Sequence, residues 1–248
     1  FDSYYRELYK NRWPSLRESL LKDLRYAALK EGLKKAYYLD EASLLAAERL
    51  ELAEGDRVLD LCAAPGGKSL VLGRQLGEGM SLTANERSGK RRARLVRVLQ
   101  EHLSDEAYSR VRVTGHDARK WCLYEKAAYE KILLDAPCSS ERHVLASPKH
   151  LEQWSVSRPA RLAAEAYAML ASALDVVGPR GQILYVTCSL DPRENDGVIG
   201  KLSKKRSNFS VLKAACTYGE RTEYGWHILP DSAGGRGPIY FCLLQRKG

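Results

Sequence analysis

From residue 57 onward, the sequence alternates short apolar runs with longer amphipathic stretches. The apolar runs lie at 58–61, 81–84, 111–113, 132–134 and 183–186. Between them, residues 67–76, 89–103, 158–177 and 193–204 have the apolar spacing of helices. This alternation predicts an α/β domain whose parallel sheet is covered by helices on both faces, because each helix crosses over to the next strand. Two short strands are expected near 209–212 and 239–244.

Residues 1–50 lack this alternation. Apolar side chains recur at helical spacing at positions 16, 20, 21, 24 and 28, and again at 44, 45, 47 and 50,. Asp40 precedes the second group as a candidate N-cap. We therefore expect a helix–loop–helix cap over residues 1–50, packed on one domain that covers residues 51–248.

The composition limits the function classes. Of 248 residues, 44% are hydrophobic and 29% are charged, which excludes a disordered chain. No apolar run approaches the roughly 18 residues that span a bilayer, so no membrane role is expected. The net charge of +9 favours a polyanionic partner, nucleic acid first. The six cysteines form no C-x-x-C pair, and no secretory signal is visible. We therefore expect no metal site and free thiols in a reducing compartment, the cytoplasm first.

A glycine-containing loop follows the first strand of this domain. Residues 58–69 have the sequence Val-Leu-Asp-Leu-Cys-Ala-Ala-Pro-Gly-Gly-Lys-Ser. A phosphate-binding P-loop would need glycine at Cys62, which weakens an ATP-using function, and the dinucleotide fingerprint G-x-G-x-x-G is missing. An adenosine cofactor fits better, since Glu86 lies 19 residues beyond Gly67 at the next strand end, where a carboxylate can accept ribose hydroxyls,. A tight turn followed by a surface glutamate stays the alternative.

Two aspartates follow later strands of the predicted sheet. Asp117 comes after the third strand, and Asp135 ends the fourth. Because parallel sheets bind ligands at the carboxyl ends of their strands, these carboxylates could meet an adenine amino group or a sulfonium centre. Either aspartate alone is more often a helix cap, but together with the glycine loop they favour a ligand site.

Two cysteines also follow strand ends. Cys138 lies in Asp-Ala-Pro-Cys-Ser and Cys188 in Thr-Cys-Ser. A lone cysteine is more often a small buried hydrophobe, but both of these enter polar loops. Beside a methyl donor, a thiolate can add to C6 of a pyrimidine and make C5 nucleophilic enough to accept the methyl group. A carboxyl group would stabilise the ring, and a base would remove the C5 proton.

Together, the strings Leu-Asp-Leu-Cys-Ala-Ala-Pro-Gly-Gly-Lys (59–68), Asp-Ala-Pro-Cys-Ser (135–139) and Thr-Cys-Ser-Leu (187–190) resemble the Sun-domain RNA cytosine-C5 methyltransferases. The segments 13–17, 38–43 and 140–143 resemble the compact mitochondrial ribosomal-RNA branch of that family. The resemblance implies a Rossmann-like class I methyltransferase fold with an antiparallel C-terminal strand, S-adenosylmethionine as cofactor and 5-methylcytosine in RNA as product. It also makes the mitochondrial matrix possible.

The resemblance further assigns roles to individual residues. Cys188 would be the nucleophile and Cys138 would assist release of the methylated RNA. Asp135 would contact the target base, and Lys68 would lie between base and cofactor. The implied cofactor site consists of Cys62, Ala63, Ala64, Pro65, Gly66, Gly67, Lys68, Glu86, Arg91, Asp117, Ala118 and Asp135. Glu86 would hold the ribose, Asp117 the adenine side, and Arg91 would support the site, although many relatives have aspartate where Glu86 stands.

The RNA surface is less well defined. A basic run at Arg87, Lys90, Arg91, Arg92, Arg94 and Arg97 could contact phosphates or form a solvated helix face. The aromatic candidates for base stacking are Tyr4, Tyr5, Tyr37, Tyr38 and Trp154, although most aromatics in such a chain are core. The target, expected in ribosomal RNA, should be single-stranded or flipped out. No separate RNA-binding domain is apparent, so a targeting partner protein is possible. A non-catalytic RNA-binding or ribosome-assembly factor stays the alternative function.

Overall fold

The computed structural model describes residues 1–248 and contains eleven strands and ten α-helices. The strands are β1 (Tyr26–Leu29), β2 (Tyr37–Asp40), β3 (Arg57–Asp60), β4 (Ser81–Asn85), β5 (Val111–Thr114), β6 (Tyr129–Asp135), β7 (Val177–Thr187), β8 (Phe209–Val211), β9 (Glu220–Arg221), β10 (Trp226–Ile228) and β11 (Ile239–Arg246). The helices are α1 (Asp2–Tyr9), α2 (Trp13–Leu21), α3 (Glu41–Ala47), α4 (Gly67–Gly73), α5 (Gly89–His102), α6 (Asp105–Ser109), α7 (Glu141–Leu145), α8 (Pro148–Glu152), α9 (Ser157–Val176) and α10 (Asp196–Lys205), with 3-10 turns at Lys10–Arg12 and Ala118–Leu123.

Nine strands form one central sheet. Its order is β5-β4-β3-β6-β7-β11-β10-β9, with β8 also paired to β11. The five strands from β5 to β7 are parallel, and β11 runs antiparallel to β7. This confirms the predicted Rossmann-like α/β fold with its antiparallel C-terminal strand. Because the chain passes from β3 to β4 on one side while β6 flanks β3 on the other, the order reverses at β3, the place where such sheets bind ligands.

Helices cover both faces of the sheet. In β6, Ile132 and Leu134 pack with α9 and α10, whereas Leu133 between them packs with α3 and α4. Successive strand side chains point to opposite faces, so a strand buried on both sides needs an uninterrupted apolar run. The run at 132–134 is therefore the sequence signal of a central strand. None of the helices has both the length and the apolar character needed to cross a bilayer.

The N-terminal segment differs from the expected helix–loop–helix. Helix α2 ends at Leu21, and Lys22 has extended backbone angles, so Ala28 lies in strand β1 rather than in a helix. Strand β1 pairs antiparallel with β2 as a separate hairpin. The helical prediction failed because aromatic residues at 26, 37 and 38 favour strand, and pairing between β1 and β2 outweighs the helical spacing of leucines. The predicted helix over 67–76 also ends earlier, at Gly73.

Residues 1–50 pack closely on the rest of the chain. Tyr5 is fully buried and donates a hydrogen bond to Glu141 at 2.5 Å. Arg12 pairs with both Glu220 and Asp231. These contacts join the first helices to segments more than 130 residues away. The division into a cap over 1–50 and a methyltransferase domain over 51–248 stays a prediction.

Candidate active site

The loop between β3 and α4 contains the predicted glycine motif. Gly66 has a φ of +121° at the start of α4, a backbone conformation that favours glycine,. A Cβ atom at Gly66 would lie 2.9 Å from Cγ1 of Val98 in α5. Ala63 and Ala64 are buried in the same loop. Small residues therefore allow α4, α5 and the end of β3 to meet closely here.

Glu86, directly after β4, is tied to this loop through Arg91. The Glu86 side chain is buried, and its Oε1 accepts a hydrogen bond from the Ser88 backbone N–H at 2.7 Å. Its Oε2 lies 3.1 Å from Arg91 Nη1, while Arg91 Nη2 donates to the Ala64 carbonyl at 2.8 Å. The structure thus brings Ala64 together with Glu86 and Arg91, which follow it by 22 and 27 positions in the sequence.

A cavity lies beside this carboxylate at the carboxyl ends of β3, β4 and β5. Five predicted cofactor residues line it: Cys62, Glu86, Arg91, Asp117 and Ala118. Hydrogen bonds from Arg119 lower the pKa of Asp117 to about 2, so this carboxylate stays ionised at neutral pH. The carboxylates of Glu86 and Asp117 therefore line the same cavity, together with the small side chains of Cys62 and Ala118.

A second groove adjoins the cavity on the other side of the glycine loop. Its predicted site residues are Cys62, Ala63, Ala64, Pro65, Gly67, Lys68 and Asp135. Cys62 lines both spaces, whereas Gly66 lines neither. Lys68 Nζ lies 2.7 Å from Asp135 Oδ2. Burial lowers the pKa of Lys68, but the Asp135 carboxylate more than offsets this and raises it, so the lysine is charged. Asp135 Oδ1 has no protein hydrogen-bond partner and can accept one from a ligand.

The two cysteines predicted to act together do meet. Cys138 and Cys188 follow the neighbouring parallel strands β6 and β7, and their Sγ atoms are 2.9 Å apart. The Cys188 backbone N–H donates to Cys138 Sγ at 3.2 Å, and Ser140 Oγ lies 3.1 Å from Cys188 Sγ. The hydrogen bond with Cys188, together with burial, raises the pKa of Cys138 well above its ordinary value. Cys138 therefore keeps its proton at neutral pH.

Behind the cysteine loops lies a pair of buried carboxyl groups. Glu194 accepts hydrogen bonds from the Ser139 N–H at 2.9 Å and from Ser189 Oγ at 2.8 Å. Glu141 also lies within hydrogen-bond distance of Ser189 Oγ, at 3.1 Å, and accepts from the Leu190 N–H. Ser139 follows Cys138 and Ser189 follows Cys188, so this network fixes both loops.

Several residues of the site were missed by the sequence analysis. Asp60 ends β3 fully buried and accepts from Ser69 Oγ at 2.6 Å, and burial raises its pKa to about 7. Asn85 links three loops by donating to the Leu61 and His116 carbonyls. An acidic residue inside an apolar strand was the available signal for Asp60. Asn85 had a weaker one, an amide at a strand end beside Glu86.

The aromatic candidates for base stacking lie in two different places. Tyr4, Tyr5 and Trp154 belong to an aromatic cluster with Phe1 and Trp13. Tyr5 is fully buried, so of its two alternatives the core position is the one that the structure shows. Tyr37 and Tyr38 line the second groove.

No group of three or more His, Cys, Asp or Glu side chains is arranged to hold a metal ion.

Comparison with curated proteins shows similarity to RNA methyltransferases. The chain is 35% identical over 237 residues to the 5-cytosine rRNA methyltransferase NSUN4 of Bos taurus, covering 87% of this chain and 60% of the relative. It is 32% identical over 226 residues to the mitochondrial tRNA (cytosine(34)-C(5))-methyltransferase of Danio rerio, covering 86% and 61%. The chain thus spans about 60% of the length of these relatives.

Solved structures share the fold. A methyltransferase homologue from Pyrococcus horikoshii superposes with a TM-score of 0.76 at 18% identity, covering 98% of this chain and 93% of the other. NSun6 from the same organism, solved with SFG, gives a TM-score of 0.73 at 22% identity over 88% and 54%. The sequence model of one family, described as 16S rRNA methyltransferase RsmB/F, matches residues 47–244. With that match spanning most of the sheet and both cysteine loops, the chain belongs to the RsmB/F family.

Proposed function

We propose that this chain transfers a methyl group to C5 of a cytosine in RNA, with ribosomal RNA as the substrate class. The observation that carries the proposal is the pair of sulfur atoms, 2.9 Å apart at the ends of β6 and β7. The Lys68–Asp135 pair lies at the end of the same strand β6. The names of the relatives specify cytosine, C5 and RNA. Family membership and the bovine relative favour rRNA over tRNA.

S-adenosylmethionine is the proposed cofactor, and the residues present fit it. Glu86 has one oxygen bonded to Ser88 and the other to Arg91, and each keeps a lone pair for a ribose hydroxyl,. Asp117, ionised at neutral pH, suits the adenine amino group at the other end of the cavity. When bound, the cofactor supplies an electrophilic methyl group.

Cys188 is the proposed nucleophile. Its thiolate adds to C6 of cytosine, forming an S–C6 bond, and the displaced electron pair makes C5 nucleophilic. Asp135 Oδ1, free of protein partners, accepts from the base while Lys68 offsets charge beside it. After C5 is methylated it loses its proton to a base, the S–C6 bond breaks and Cys188 is restored. Cys138, protonated and 2.9 Å away, assists this release.

For the partners and the compartment, the proposal names general classes. RNA is the substrate, and a protein that directs the chain to its RNA stays a prediction. Cytoplasm and mitochondrial matrix both stay predictions for the compartment. The mitochondrial name of the Danio rerio relative supports the matrix.

The test uses an unmodified transcript of small-subunit rRNA and a radiolabelled methyl donor. The wild-type protein should label cytosine C5. Cys188→Ala should neither label RNA nor form a covalent adduct on a denaturing gel. Cys138→Ala should accumulate the adduct, because addition survives while release is slowed. Cys122→Ala, a cysteine outside both cavities, is the matched control and should behave as wild type.

Opposite outcomes would overturn separate parts of the proposal. An active Cys188→Ala variant, with no adduct in Cys138→Ala, would reverse the two cysteine roles. A wild-type protein that binds this transcript and no S-adenosylmethionine would instead be a non-catalytic RNA-binding factor.

A further inference from the structure

The β1–β2 hairpin presents two neighbouring tyrosines to solvent. Tyr26 is 60% exposed and Tyr38 is 64% exposed. Tyr26 lies opposite Asp40, and Tyr38 lies opposite Ala28. Residues opposite each other, and residues two apart, share one face of a strand pair, so the two rings are diagonal neighbours on the same face. The other face of the hairpin is buried through Leu29 and Leu39.

This exposed face borders the groove that contains Lys68 and Asp135. Tyr26 and Tyr38 line that groove together with the glycine loop. Tyr37 in the same hairpin lies against Gly67, where an added Cβ would be 3.1 Å from its ring. The hairpin is therefore fixed on the glycine loop, and its two exposed rings are continuous with the proposed base site.

A cation faces the same groove from α5. Arg94 lines it and makes no ion pair, although nearby arginines of α5 are engaged. The helix is capped by Ser88 and buries Leu95 and Leu99, so its basic face is left outward. An unpaired guanidinium beside exposed aromatic rings matches the chemistry of single-stranded nucleic acid, in which stacking faces alternate with phosphates.

We propose that the β1–β2 hairpin and Arg94 form a binding subsite for an unpaired nucleotide adjacent to the target cytosine. Tyr26 and Tyr38 stack on its base, and Arg94 contacts its phosphate. This inference rests on the proposed RNA substrate. An acidic protein segment is the other class of occupant for such a face, but it would not need two exposed rings next to the site of base chemistry.

The test measures binding of a fluorescent single-stranded oligonucleotide containing one cytosine, together with kcat and KM for its methylation. Tyr26→Ala and Tyr38→Ala should each weaken RNA binding by about 5- to 150-fold, the range for loss of one stacked base. The loss should appear mainly in KM. The Tyr→Phe variant at either position should bind RNA with an affinity within about 2-fold of wild type, because the ring is kept. S-adenosylmethionine affinity should be unchanged in all variants.

Two further variants keep the test independent of folding defects. Tyr124→Ala removes a ring that is 68% exposed outside the groove and should not affect RNA binding. Arg94→Gln should make the plot of log affinity against log salt concentration less steep, by the amount expected for the loss of about one phosphate contact. Alanine variants that bind and methylate RNA as well as wild type would overturn the hairpin proposal alone. Alanine variants that keep wild-type RNA affinity but lose binding of an acidic protein segment would point to the protein as occupant. That result would also overturn the hairpin proposal. A wild type that neither binds nor methylates RNA would overturn the proposed function, and this inference with it.

Discussion

The buried carboxyl pair behind the cysteine loops gives a prediction about stability and pH. Ser189 has one hydroxyl proton, yet its Oγ lies 2.8 Å from Glu194 and 3.1 Å from Glu141. The Ser189 hydroxyl can donate to only one of them, so the second contact needs a proton on a carboxyl group. Burial and the neighbouring Glu141 raise the pKa of Glu194 to about 7. Glu194→Gln mimics the protonated acid, with its amide N–H donating to Ser189.

The magnitude follows from the difference between folded and unfolded states. The ordinary glutamate pKa is 4.5, so a folded value of about 7 means that the folded state holds the proton more tightly. The contribution of Glu194 to the free energy of unfolding of the wild type is therefore largest below pH 4.5, and it falls as the pH rises towards 7. A shift of this size corresponds to about 3 kcal/mol. Glu194→Gln removes this dependence and should gain about that much relative to wild type between pH 5 and pH 8.

Urea denaturation at pH 5, 6, 7 and 8, followed by tryptophan fluorescence, measures the effect. Asp60 also has a raised pKa, to about 7, but its contribution is the same in both proteins and cancels in the difference. Glu78→Gln, which replaces an exposed carboxyl group, is the control. Its free energy of unfolding should change with pH in the same way as that of the wild type. A constant difference between Glu194→Gln and wild type across this pH range would refute the shared-proton arrangement.

Two more predictions concern the cofactor side. Gly66→Ala should reduce the free energy of unfolding by about 1–3 kcal/mol. The new Cβ would lie too close to Val98, and alanine is strained at the positive φ of this position. Gly55→Ala, with a positive φ but no atom near the new Cβ, is the control in urea denaturation, and an equal loss there would contradict the steric part. Glu86→Gln should weaken S-adenosylmethionine binding by about 10-fold in calorimetry, since a charge-assisted acceptor is lost. Unchanged affinity would remove Glu86 from the ribose site.

The sheet was predictable because its signal is local. A run such as 132–134 must be apolar at every position to be buried on both faces,. The hairpin was not predictable, because β1 is held by its partner strand β2 and by packing on α3. The leucine spacing near β1 fits a helix equally well. Short strands such as β9, with two residues, depend wholly on neighbouring strands and leave no periodicity to detect.

The site was predictable as far as strand ends could be located. Cys138 and Cys188 were placed at one sheet edge because both follow apolar runs, and β6 and β7 do pair in parallel. Glu194 and Ser140 were not foreseen, because their contact with the cysteine loops depends on the path of α7 and the turn before α10. Ser140 adopts a left-handed backbone, with φ of 54°, which no residue pattern indicates for serine.

The aromatic packing around Trp13 has a practical consequence for anyone who shortens this protein. Tyr5, Trp13 and Leu16 shield Leu145, Leu190 and Leu229 from water, and Leu190 lies two positions after Cys188. Deleting the first 21 residues would strip that shield and leave Glu141 without its phenol donor. A protein truncated in this way would therefore be prone to aggregate, and the loops that carry Cys138 and Cys188 would lose part of their support.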